Sequence, residues 1–586
     1  MLPSAPPPGN ACPGLTAGWS SVKLNKVFLP ALVALIPAES FATELYGMGP
    51  LSSSTLLVNS ETYLRYRHTD EKLVNFEDRN ILDYVEQVER LNLSLTKDRL
   101  TIGAQLDQVG LFANRYILDG VLYHERDLYD SSISSPFPDA LVMLEKIYLQ
   151  QRYNNVSFTL GDGYVTFGRG AALNMVRNAS IDIDTSLRGA QVAVSSGNMD
   201  FTVVSGVTNR QQINRLNINV DLDDDIPHMV TGAQVRHYAL GPLQGGLHGV
   251  IARFGRSEDA DLPGILRYEE ELDAVIGGAT LEAFGVAGMD LYLEGDLFRY
   301  QTQEIAGQED PLLGKLLYAS ASLYPGPAVV LVEAKISSDT ERINSFLGSD
   351  GWEISAPPTL EYERVITEDT SAAVNSNDIY GGRIRVDLPM ADSTFLPYAS
   401  VSAFRDRDIG GLHFNRSPET IAHPIVGTQW LPGERVLILN AGHRRDVRDD
   451  TVEGVDRLTH TDIEFATPAF GEEAIEIAVS MLHNQWGENP QGQEDFLTMQ
   501  NAFVWKHGEK LDFLIYQDWS NNELIPSKGN LTEELYGALE VQYKPNTSSE
   551  FTAFYGAYMA GIRCSGGQCR TLPGFEGFQM TYTTQF

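Results

Sequence analysis

The sequence predicts an all-β chain: a single transmembrane antiparallel β-barrel of about 24 strands (22–26), with short periplasmic turns and long extracellular loops. Three observations predict it. Apolar and polar residues alternate over segments of about 10 residues, as they do when successive strand side chains point to opposite faces. Short turn sequences alternate with long polar segments along the chain. No run of ~18 or more apolar residues is present to cross a bilayer as a helix, and the mean hydropathy is −0.18.

The N-terminus reads as a leader. Lys23 and Lys26 precede the apolar run Val27–Ile36, and the small residues Ser40 and Ala42 follow it. A basic start, a short apolar stretch and small residues before a cut make a secretory signal peptide. Residues 1–42 are therefore expected to be leader, with 22–42 the signal proper, and residues 43–586 the barrel. Val22 is an alternative initiator, because residues 1–21 lie upstream of the basic region. The first strand is expected about a dozen residues after the cut, which leaves no room for an N-terminal plug domain.

Strand pairs follow. Leu91, Leu93 and Leu95 alternate with Asn92, Ser94 and Thr96; Lys97-Asp98 turns the chain, and Ile102, Ala104 and Leu106 continue the pattern. Asn154-Asn155 and Gly197-Asn198 mark further tight turns. Met289, Leu291, Leu293 and Leu297 oppose Asp290, Glu294 and Asp296; Ile475, Ile477, Val479 and Met481 oppose Glu476 and Ser480. Short turns recur near residues 97, 155, 198, 242, 288, 326, 391, 433, 471, 509 and 546. Longer polar segments such as 113–140, 211–228, 339–377 and 562–574 separate the pairs. Eleven pairs, one strand near 55–67 and a last strand at 575–586 make up the count, which a weak strand such as 359–366 could shift by two. An even count puts both termini on the periplasmic side. A secreted β-sandwich or propeller is the soluble rival, but it does not explain the alternation of short turns with long loops.

The last strand carries Phe578, Met580, Tyr582, Thr584 and Phe586 on one face. An apolar row that ends on an aromatic residue resembles the closing strand of bacterial outer-membrane barrels. The resemblance implies that Tyr582 and Phe586 form the signal read by the barrel-assembly machinery. Cys12 belongs to the leader. Cys564 and Cys569 bracket Ser-Gly-Gly-Gln, and an exported chain meets an oxidising compartment, so one small disulfide is expected there.

One segment breaks the alternation. Gly161-Asp-Gly-Tyr-Val-Thr-Phe-Gly-Arg-Gly170 carries four glycines in ten residues, and strand alternation resumes at Asp182–Gly189. Asp162, Tyr164, Arg169, Arg177, Asp182, Asp184 and Arg188 are its candidate lumen or constriction residues. The expectation is a loop folded into the lumen and held by Arg–carboxylate pairs, with a structural inward loop or bulge as the plainer reading. The arrangement Gly161-Asp162-x-Tyr164-x-x-Phe167-Gly168-x-Gly170, followed by Asp184-Thr-Ser-Leu-Arg-Gly189, resembles a motif of an uncharacterised porin-like family of bacterial outer-membrane β-barrel proteins. That resemblance covers about 30 residues and implies an outer-membrane barrel. It brings no substrate and no catalytic residue.

The net charge of −35 argues against nucleic acid as a partner, because phosphates are met by Lys and Arg. No phosphate-binding loop, His-Glu-x-x-His or Cys-x-x-Cys motif is present. No metal site and no cofactor are expected. The acidic run Asp221–Asp225 lacks the spacing of a calcium loop. His443-Arg-Arg445 reads as a solvated base cluster at a strand end. The leading expectation is a channel for passive or facilitated passage of a solute, cation-preferring if its carboxylates reach the lumen. Asp290, Glu294, Asp296 and Glu476 are the polar-row candidates for that field. A loop-plugged scaffold or surface-binding protein is the alternative, and a barrel enzyme stands behind both. Expected partners are outer-membrane lipid, lipopolysaccharide and the assembly machinery, with the periplasmic or surface partner unknown.

Overall fold

The computed structural model describes residues 43–44, 54–68, 79–118, 121–124, 141–178, 183–212, 228–253, 273–301, 312–338, 340, 379–406, 419–448, 455–485, 495–521, 534–558, 561–565, 568–572 and 575–585. The leader, Asp182, the run Asp221–Asp225, residues 359–366 and Phe586 lie outside them.

The main sheet has 27 strands. Three of these, Thr43–Glu44, Val121–His124 and Arg177–Asn178, are short additions; the other 24 form the barrel wall. Each wall strand pairs antiparallel with its neighbours in sequence, from Thr55–His68 and Arg79–Lys97 through to Ser549–Tyr558 and Phe575–Gln585. The last strand also pairs with the first, from Asn59↔Gln585 to Arg67↔Gly577. Closure leaves no open edge, which is what lipid demands, since it offers no hydrogen-bond partner to an unpaired strand. It also rules out a sandwich or a propeller. Among the described residues no helix is long and apolar enough to cross a membrane.

The short connections lie where the turn chemistry places them. Asp98 (φ 53°) turns the hairpin between Arg79–Lys97 and Leu100–Leu118, and Gly197 (φ 61°) turns the one between Ile183–Ser196 and Met199–Gln212. Positive φ is costly for most residues and mild for Gly and Asp. The first and last wall strands both carry their outer ends on the short-turn side, so an even strand count follows.

The two faces of the wall differ sharply. Leu247, Leu297 and Tyr555 point outward with exposures of 60%, 70% and 69%. Apolar side chains so exposed, row after row around a closed barrel, face hydrocarbon. Tyr66, Tyr555 and Phe578 share this outer face at the seam, where the register sets Phe578 opposite both tyrosines. The inner face is polar over much of the wall, with His423, Arg444, Asp446, His460, Asp462 and Ser480 among its residues. The polar inner row expected from alternation does not run the whole way round. Val204, Val230, Val250, Ile276, Phe298, Tyr300 and Leu316 form an apolar patch on the inner wall. The residues after Gly163 explain it.

Candidate functional site

After strand Val156–Gly163 the chain leaves the wall. Residues Val165–Phe167 and Leu173–Met175 pair as a small antiparallel hairpin, and Arg177 then rejoins the wall opposite Asp184. Phe167, Ala171, Ala172, Leu173 and Met175 have no exposed surface. They pack on the apolar patch, which spans the strands from Ile183–Ser196 to Leu312–Leu323. The segment therefore lies inside the barrel. Short side chains and glycines let a tight hairpin fit there. Gly168 (φ 58°) sits over the Glu294 carboxylate, and a Cβ at that position would overlap Glu294 Oε1.

Polar contacts fix the two feet of the segment. Asp162 is buried and accepts from the Ile147 N–H (2.8 Å), Asn209 Nδ2 (2.8 Å), Ser186 Oγ (3.2 Å) and Arg188 Nε (3.2 Å). On the other side, Lys146 Nζ donates to Asp184 Oδ2 and to the Tyr164 hydroxyl, which in turn donates to Asp184 Oδ1 at 2.6 Å. Burial first and the Asp184 charge second hold the Tyr164 phenol protonated, above the ordinary tyrosine range. Arg177 Nε lies 3.7 Å from Asp184, looser than Lys146.

Arg169 at the tip departs from the expected carboxylate pairing. Its guanidinium stacks 4.1 Å from the Tyr292 ring centre and 5.2 Å from that of Tyr318, and Nη1 donates to the Tyr318 hydroxyl at 3.1 Å. Its backbone N–H, not its side chain, donates to Glu294 Oε2 at 2.9 Å. Arginine's flat, weakly hydrated cation suits aromatic faces as well as carboxylates. Tyr318 then donates to Glu333, which also accepts from Arg383.

Beneath the tip, His248, Glu294 and Asp296 are 7%, 0% and 2% exposed. His248 Nε2 and Asp296 Oδ1 are 2.6 Å apart. The polar-row residues thus separate into three situations. Glu294 and Asp296 face inward but lie under the segment, away from lumen water. Asp290 stands at the short-turn rim, accepting from the Gly285 N–H (2.8 Å) and the Tyr324 hydroxyl (2.7 Å). Its bond to Asp290 raises the Tyr324 phenol above the ordinary range. Glu476 sits near another short turn and pairs with Lys506.

Cys564 and Cys569 occupy facing positions of a two-stranded hairpin, Gly561–Ser565 with Gln568–Leu572. Tyr582 lies in the closing strand opposite Thr62 and Phe551. His443 is not at a strand end: it lies within Val436–Arg448, pointing outward, while Arg444 faces in and pairs with Asp446. Lys146, Asn209, His248, Tyr292 and Tyr318 were missed by the sequence reading. They are spread over five strands, and only their inward parity hints at a shared site.

A closed antiparallel barrel with an apolar outer band and a partly polar interior is an integral outer-membrane β-barrel, embedded in lipid. No protein-family model matches the chain, and no curated protein matches it. Solved outer-membrane structures do resemble it in fold. The P pilus usher PapC translocation pore is 9% identical, with 90% of this chain and 99% of that chain covered and a TM-score of 0.42. The siderophore receptor PirA from Pseudomonas aeruginosa is 8% identical, covering 90% and 80%, at a TM-score of 0.45. The outer membrane protein OpdK from Pseudomonas aeruginosa is 14% identical, covering 68% and 94%, at 0.33.

Proposed function

We propose that this barrel is a solute channel of the outer membrane, narrowed from within by residues 164–176 and preferring cations. One observation carries the reading. The segment covers only part of the inner wall, and on strands it does not reach polar side chains open to solvent face inward: Glu476 and Lys506, whose side chains are 40% and 38% exposed, and Gln500. Solvent-exposed polar side chains on the inner face of a barrel are the mark of a water-filled lumen. Cation preference rests on the acidic excess of the chain and on Asp290 at the short-turn rim. Asp162, Tyr164, Arg177, Asp184 and Arg188 are positioning residues that hold the feet of the constriction, and Arg169 holds its tip. Residues 161–189 also support grouping the chain with porin-like barrels. The reading is non-enzymatic, and it takes Tyr582 to serve barrel assembly.

The test is single-channel conductance of the refolded protein in a planar bilayer under a salt gradient. Steady steps with a cation-selective reversal potential are expected. Silence from a correctly folded barrel would overturn the channel in favour of a loop-plugged scaffold, and anion selectivity would overturn the assigned field.

A further inference from the structure

We propose that His248, Glu294 and Asp296 bind one divalent transition-metal ion, zinc being the best fit, and that this ion fastens the inward segment to the barrel wall. The placement is specific. His248 and Asp296 lie in one register row on either side of Gly278. A Cβ at Gly278 would overlap both Asp296 Oδ1 and His248 Nε2. Glycine there is what allows the two side chains to meet across an intervening strand. Glu294 lies two residues before Asp296 on the same inner row and brings a third donor.

One donor atom from each residue lies within 4.8 Å of the other two. Ligands bound at about 2.0–2.2 Å from zinc are themselves about 3–4 Å apart, so small side-chain rotations close the set. The hydrogen-bond inventory is incomplete here. His248 Nδ1, Glu294 Oε1 and Asp296 Oδ2 are buried without a hydrogen-bond partner. Buried polar atoms are ordinarily satisfied, and buried carboxylates are costly unless a cation meets them. Among the described residues, no Lys or Arg side chain forms an ion pair with Glu294 or Asp296, and Arg169 offers Glu294 only its backbone N–H. A divalent ion supplies the missing charge.

The donor set selects the metal. One imidazole with two carboxylates and no thiolate suits zinc, whereas calcium and magnesium take oxygen ligands only. The segment covers the site. The Phe167 ring centre is 6.4 Å from that of His248, and Gly168 lies against Glu294 Oε1. Metal binding and docking of the segment are therefore coupled.

The experiment uses tag-free, refolded full barrel, washed with chelator and loaded with zinc, with zinc content and affinity measured by elemental analysis and calorimetry. Calcium serves as the competing probe. About one zinc per chain is expected to survive gel filtration, with calcium unable to displace it. His248→Gln, Glu294→Gln and Asp296→Asn should each weaken zinc binding by at least the ~10–100-fold that loss of an outer partner costs. Glu476→Gln, at the rim, should leave it unchanged. If the buried variants do not fold, the zinc absorption-edge spectrum of the wild type decides, one nitrogen with carboxylate oxygens being expected. A wild type that holds no stoichiometric zinc, a spectrum with oxygen alone, or wild-type affinity in His248→Gln would overturn the proposal. Occupancy is read without current, so its failure is separate from failure of the channel reading.

Discussion

Replacing Phe167 with Ala removes the central anchor of the inward segment. The Phe167 side chain has no exposed surface and packs among Val204, Val230, Val250 and Ile276 of the wall. Truncating a fully buried Phe to Ala costs about 3–5 kcal/mol, from lost transfer energy and the cavity left behind. The wall strands are paired by backbone hydrogen bonds that do not involve this ring, so the loss falls on docking of the segment. At about 1.4 kcal/mol per factor of ten, the docked-to-undocked ratio falls by two to three and a half powers of ten. Limited trypsin digestion of the refolded protein reads this at Arg169, which is held against the wall in the docked state. Where redocking outpaces cleavage, the cutting rate follows the undocked population. Cleavage after residue 169 should therefore rise by about 100-fold or more, with the barrel still folded by its gel mobility shift. A rate within about threefold of wild type would refute the claim that apolar burial holds the segment.

Three further outcomes follow from the same geometry. Arg169→Lys keeps the charge but loses the flat stack on Tyr292 and Tyr318; it should raise cleavage at Arg177 by about 5–30-fold, equivalent to about 1–2 kcal/mol. Asp162→Asn removes the charge and turns one of the two buried acceptor oxygens serving Ile147, Ser186, Arg188 and Asn209 into a donor, and should cost about 1–3 kcal/mol, seen as a lower urea midpoint at unchanged slope. Cys564 and Cys569, facing each other across their hairpin, should show no free thiol in exported protein and two after reduction, counted by mass shift on alkylation.

The wall was legible in the sequence because alternation, turn residues and loop length each act locally. Leu291, Leu293 and Leu297 against Glu294 and Asp296 is such a pattern, and the structure places those faces as read. The inward segment was visible as an interruption: Gly168 and Gly170, both at positive φ, turn the hairpin, while Gly161 and Gly163 still belong to the wall strand. Its energetics were not legible. Phe298, Tyr300 and Leu316 occupy inward positions that alternation marks as lumen, yet they are buried in the same apolar cluster as Phe167 and Leu173. Arg169 looked like a carboxylate's partner, but its ring partners Tyr292 and Tyr318 lie well over a hundred residues away in the chain. His248 with Asp296 was hidden likewise, since register across Gly278 brings them together and no local motif records it.

The central question for this barrel is whether residues 164–176 narrow a conducting lumen. The direct measurement compares single-channel conductance of the wild type with that of a barrel in which this segment is replaced by a short Gly-Ser link between Gly163 and Arg177. Steady steps are expected from both, larger ones from the shortened chain. Equal conductance from two folded barrels would contradict that narrowing.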